Sequence, residues 1–309
     1  MTVHPEIRQF LDLIAALDRP PLSALSPQEA RATVSADSAN LPPGPPVDAV
    51  EDLRIPVRDG EIGARRYAPE GADAIIVWMH GGGWVVCDLE THDAMCRLLA
   101  NAARATVVSV DYRLAPEHPF PGPVDDCWDA LSWIAAQHPH VPLVVGGDSA
   151  GGDLAAVMAL RARDAGGPAI ARQILVYPVT DLSTRHPSYA ECGDDPDSFL
   201  SADDMTWFAS HFLSDPAQAS DPEASPLLAP DLSNLPPASV VIADHDPLRD
   251  EGLAYAERLE AAGVPVTMHR YPDAMHAFFA FASVLERGRE AIDAVAADVR
   301  STVGLLPNT

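Results

Sequence analysis

Six short apolar runs, Ile75–Met79, Thr106–Val110, Val141–Val145, Ile174–Tyr177, Val240–Ala243 and Val266–His269, carry the strongest constraint on this chain. Helical spacing appears between and after them, near residues 91–103, 123–137, 150–164, 248–262 and 286–303. Short apolar runs read as strands buried on both faces, and their alternation with helices predicts an α/β fold: a mostly parallel central sheet with helices on both faces. Ahead of this region, Leu53–Val57 and Ile62–Tyr67 alternate like two half-exposed strands of a hairpin, joined near Asp59-Gly60. Ile7, Phe10, Leu11, Ile14 and Leu17 predict an amphipathic helix over 5–18, set off by the Pro-rich stretch at 41–47.

With 309 residues the chain can bury one large core. The organisation read from it is an N-terminal arm over 1–50 and a main domain over 51–309. An insertion near 183–225, rich in Asp, Pro, Ser and aromatics, interrupts the rhythm; together with the arm it is placed as a roof over the site, against the alternative of a plain surface excursion.

The run into Gly147-Asp148-Ser149-Ala150-Gly151 and on into an Ala/Leu-rich stretch is G-x-S-x-G between a strand and a helix. A turn sharp enough to expose one hydroxyl strains its central residue, and the residues two before and two after must be tiny. Ser149 is therefore the candidate nucleophile. The pattern alone arises by chance about once in ten chains of this length, so its flanks carry much of the weight.

More specific is His80-Gly81-Gly82-Gly83-Trp84, directly after the apolar run AIIVWM. Unshielded glycine amides can meet a carbonyl oxygen as it becomes negative. Gly82, Gly83 and Ala150 are the candidate oxyanion donors. A phosphate loop is disfavoured, because no Lys-Ser/Thr follows and G-x-G-x-x-G spacing is absent. His80 reads as a loop anchor, and Trp84 as packing or pocket wall.

A serine needs a base to take its proton, and the base needs a carboxylate to orient it. Downstream of Ser149, His186 and His211 fall in the insertion, His269 within a strand, and His245 too early; His276, after the last strand, is the candidate base. Asp244, Asp246, Asp250 and Glu251 compete as the acid. Asp246, at a loop-to-helix junction marked by Pro247, is preferred to Asp244, while Asp250 and Glu251 are expected to face solvent.

With these motifs the chain resembles the bacterial hormone-sensitive-lipase-like esterases, over roughly residues 74–283. HGGGW, DYRLAPEHPFP at 111–121, GDSAGG, DPLRDEG and the final M-H-x-F stand in that family's order. The resemblance implies an α/β-hydrolase fold with a helical cap, the triad Ser149, Asp246 and His276, and the oxyanion donors Gly82, Gly83 and Ala150. It also implies short- to medium-chain acyl esters as substrates and no cofactor. An amidase, deacetylase or lactonase with the same site stays open; a non-catalytic receptor is disfavoured by the complete triad. Cys87 and Ala277 stand where the family has glycine, and a local backbone adjustment is expected at both. Arg113 and Glu117 are read as an ion pair bracing the loops, and Asp148 as a holder of neighbouring loops.

The formal net charge is −25, from 45 acidic residues against 20 basic ones, all arginine. Such a surface repels phosphates and anionic lipids, so nucleic acid and membrane partners are not expected. No metal site is predicted. The four cysteines lack disulfide-like density, and the N-terminus lacks a basic, then apolar, leader pattern, so the expected compartment is the cytoplasm. A homo-oligomer is left open.

Overall fold

Ile75, Val77 and Met79 pack into one hydrophobic core while Ile76 and Trp78 pack into another, the period of two that a strand with two covered faces requires. This strand lies in a computed structural model that describes residues 2–304.

The N-terminal arm carries α1 (Pro5–Ala15) and α2 (Pro27–Ser38). A hairpin follows, β1 (Ala49–Val57) and β2 (Gly60–Ala68). Then come β3 (Ile75–Met79), α3 (Asp93–Ala103), β4 (Thr106–Asp111), α4 (Gly122–Gln137), β5 (Leu143–Asp148), α5 (Ala150–Ala165) and β6 (Arg172–Val176). The insertion contributes α6 (Pro187–Cys192) and α7 (Ala202–Phe212), and the chain closes with β7 (Ala238–His245), α8 (Arg249–Ala261), β8 (Val266–Met275) and α9 (Glu286–Gly304).

The strands form one sheet in the order β1-β2-β4-β3-β5-β6-β7-β8. β2 runs antiparallel to both β1 and β4, and all remaining pairs are parallel. Side chains of α4, α5 and α8 share a core with one face; those of α1, α3 and α9 share a core with the other. The predicted layers are those found.

Topology decides where a site can form. β3 has β4 on one side and β5 on the other, so chain progression reverses there, and the carboxyl ends of strands at such a reversal are where sites of open α/β sheets form. The loop after β3 carries the glycines and the turn after β5 carries Ser149.

Candidate functional site

The turn after β5 holds Ser149 at φ 57° and ψ −119°, a conformation that costs an L residue on the order of 1–3 kcal/mol. Its surroundings over-determine it. The Ser149 N–H donates to Val176 O at 2.9 Å, while the Ser149 carbonyl accepts from Gly152 and Val179 at 2.9 and 3.1 Å. A Cβ on Gly147 would stand 2.1 Å from the Gly151 oxygen, and one on Gly151 would stand 2.0 Å from the Met79 oxygen. Both positions therefore admit only glycine, as the motif implies.

Ser149 Oγ lies 3.0 Å from His276 Nε2, and His276 Nδ1 lies 2.7 Å from Asp246 Oδ2. A carboxylate only accepts, so Nδ1 carries the ring proton and Nε2 is free to accept from the hydroxyl. The second Asp246 oxygen takes the Leu248 N–H at 2.8 Å, which fixes the carboxylate plane. A register shift between β7 and β8 near Ala243 and His245 brings the two strand ends to this geometry. All three side chains are buried.

The competing acids are engaged elsewhere. Asp244 takes the Arg270 guanidinium on both oxygens, at 2.7 and 3.1 Å. Asp250 accepts from Ser188 N. Glu251, expected to face solvent, is fully buried and accepts from Thr180 N at 2.8 Å; burial pushes its carboxyl well up. Among the other histidines, His186 pairs with Asp181, His269 with Asp298, and His211 packs edge-on to Trp207.

In the loop after β3, Gly82 and Gly83 hold φ 105° and 58°. Their N–H groups and that of Ala150 find no acceptor among the described residues. A Cβ on Gly82 would meet Val86 O at 2.3 Å, and one on Gly83 would meet the Phe208 ring at 2.2 Å. These three amides can serve a developing oxyanion. His80 bonds Gly81 O through Nδ1 at 2.7 Å; burial, with His92 adding to it, holds its imidazole down to about 4. Such a neutral, enclosed ring anchors the loop. Trp84 is fully buried and stacks on Phe212 at 4.1 Å, so it is packing.

Arg113 and Glu117 do not pair. Arg113 forks onto buried Asp126 at 2.7 and 2.8 Å, and Glu117 is held by Arg31 of α2 at 2.7 Å. Cys87 and Ala277 remain in the left-handed region, at φ 69° and 68°, rather than adjusting out of it. Sequence reasoning passed over Arg31 and also His92, a buried imidazole facing Asp148. Only the short polar run Thr91-His92-Asp93 at a helix start hinted at it.

A sheet switch point, a strained serine turn and a Ser–His–Asp line define the class of an α/β hydrolase. Comparison with known proteins agrees. A family model described as having the alpha/beta hydrolase fold matches residues 76–280. Esterase LipI of Mycobacterium tuberculosis is 44% identical over 256 residues, covering 78% of each chain. The ethyl acetate hydrolase of Pseudomonas putida is 36% identical over 94% of this chain and 96% of its own. A solved ester hydrolase from the Lake Arreo metagenome, complexed with a derivative of bipyridine phosphonate, matches with a TM-score of 0.93 at 41% identity. It covers 98% of this chain and 100% of its own. The chain belongs to the α/β-hydrolase family, in its hormone-sensitive-lipase-like esterase branch.

Proposed function

We propose that the protein is a carboxylesterase that hydrolyses short- to medium-chain acyl esters through an acyl-enzyme on Ser149. The observation that carries this is the hydrogen-bonded line Ser149 Oγ–His276 Nε2 and His276 Nδ1–Asp246 Oδ2, at 3.0 and 2.7 Å. Ser149 Oγ attacks the ester carbonyl as His276 Nε2 takes its proton, and Asp246 stabilises the imidazolium. The N–H groups of Gly82, Gly83 and Ala150 receive the oxyanion. His276 returns the proton to the leaving alcohol, and water then repeats the cycle on the acyl-enzyme. Two relatives, an esterase and an ethyl acetate hydrolase, support this chemistry.

The arm over 1–50 and the insertion over 183–225 form the cap in this reading. Two contacts support it: Ser23 N of the arm donates to Asp204 of α7 at 3.0 Å, and Phe208 of the same helix closes on Gly83. For location we infer the cytoplasm. Four unpaired thiols suit a reducing compartment, and no helix among the described residues is long and apolar enough to cross a membrane.

Hydrolysis of 4-nitrophenyl esters from acetate to dodecanoate tests the reading. Turnover is expected to peak at short or medium chains, and Ser149→Ala to lower kcat by about four to six orders of magnitude. Parent-level turnover in that variant, or a fluorophosphonate probe that fails to label Ser149, would sink it.

A further inference from the structure

Beneath the glycine loop lies a second carboxylate–imidazole contact that the acyl-transfer steps do not use. Asp148, the residue before Ser149, is 3% exposed. Its Oδ1 accepts the Gly81 N–H at 3.1 Å and its Oδ2 faces His92 Nε2 at 3.3 Å. A Cβ on Gly81 would stand 2.4 Å from that Oδ2, so the first loop glycine rests directly on the carboxylate. His92 is equally enclosed, at 3% exposure. The other ring nitrogen, Nδ1, lies 3.1 Å from Thr91 Oγ1; Thr91 is tied to Asp88 by reciprocal bonds of 2.9 Å, and its hydroxyl donates to Asp88 O at 2.8 Å, which leaves the oxygen an acceptor towards Nδ1. Burial pushes the Asp148 carboxyl up, but His92, His80 and the Gly81 N–H outweigh it and leave the group below the ordinary carboxylate range. The carboxylate is thus a fixed acceptor, and Gly82 and Gly83 follow directly on the amide it holds.

We propose that His92 is a positioning residue for the oxyanion loop: donation from Nε2 locks the Asp148 carboxylate that holds Gly81, and so sets where the next two amides point. This rests on the carboxylesterase reading. The backbone amides must be aimed before the carbonyl becomes negative, because preorganised donors cost no reorganisation in the transition state. An Asp148 free to rotate would release Gly81 and blunt that aim without altering how the ester is held in its ground state.

The imidazole can be divided between two amides. In His92→Gln the amide nitrogen takes the place of Nε2 and still reaches Asp148; in His92→Asn it takes the place of Nδ1 and reaches only Thr91. With 4-nitrophenyl butyrate, His92→Asn is expected to lower kcat roughly 10- to 100-fold with KM within about twofold, and His92→Gln to stay within about threefold of the parent. Thr91→Val, which frees the second nitrogen, is expected to lower kcat several-fold at unchanged KM and serves where His92→Asn does not fold. Equal losses in Asn and Gln, a change confined to KM, or an undiminished kcat in Asn or in Val would each overturn the proposal. The parent and Ser149→Ala run in the same assay: a parent without turnover removes the esterase reading and this proposal with it, whereas an active parent leaves the His92 and Thr91 arms to judge the positioning role alone.

Discussion

Ser149, Cys87 and Ala277 share positive φ values of 57°, 69° and 68°, but they differ in what each side chain does there. At Ser149 the strain sets the hydroxyl against His276 Nε2 and must be kept. At Ala277 a methyl adds little, and the left-handed region costs an L residue about 1–2 kcal/mol, offset in part by glycine's larger unfolded-state entropy. Ala277→Gly is therefore expected to raise stability by about 0.5–1 kcal/mol, read as a higher midpoint in urea unfolding. Cys87→Gly should gain less, since it also removes a side chain packed on the core; a lower midpoint for Ala277→Gly would contradict the account. The proposed triad of Ser149, Asp246 and His276 could be picked out of the sequence because the chemistry calls for these residue types in this order along the chain. Arg113 and Glu117 misled because proximity in sequence suggested a pair. Their true partners lie 13 residues downstream and 86 residues upstream, distances over which no local pattern speaks.

At the scale of elements, the strands and the main helices could be read because burial on two faces or one imposes a period. α2 could not, since Ala30 is its one buried residue and no apolar stripe forms. The available signal was its start: Ser26 and Glu29 close a capping box with Pro27 between them. α2 matters to the site through Arg31, whose Nε donates to Val85 O at 2.8 Å and whose Nη2 donates to Ala115 O at 2.7 Å, besides holding Glu117. Val85 lies in the turn that closes on Gly82 O. Arg31→Ala is expected to cost about 1–2 kcal/mol, because two carbonyls lose a charged donor, and to lower kcat several-fold by loosening that turn. Thermal unfolding and steady-state rates check this. The Arg31 hydrogen bonds hold the Glu117 carboxyl down to about 2 from an ordinary 4.5. A depressed acid contributes stability above its unfolded value and loses it as pH falls through its folded one. The contribution is therefore full above about pH 4.5 and gone near pH 2, and exposure of the Glu117 side chain limits it to at most about 1 kcal/mol. In Arg31→Ala, the slope of stability over that window should become shallower.

For the whole molecule, the net charge predicts a bias in which esters arrive. The net charge of −25 is spread over 309 residues with no lysine. Close to the site, Asp148 and Asp246 flank the serine and histidine from within, and Asp244, two residues before Asp246, is paired with Arg270. A cleft walled by protein focuses such a field, which can alter association rates by roughly 10- to 1000-fold and fades as salt shortens the Debye length to about 3 Å at 1 M. Two esters of equal acyl length isolate the effect: 4-nitrophenyl hexanoate, which is neutral, and the mono-4-nitrophenyl ester of adipic acid, which ends in a carboxylate. At low ionic strength kcat/KM for the adipate ester is expected to be at least about 10-fold lower. Raising salt to 0.5 M should narrow the gap by most of that factor, about the Debye screening expected there, while the neutral ester changes little. A gap that ignores salt would instead locate the discrimination in contacts inside the pocket, where a carboxylate lacks a partner, and would leave the net charge a matter of solubility alone.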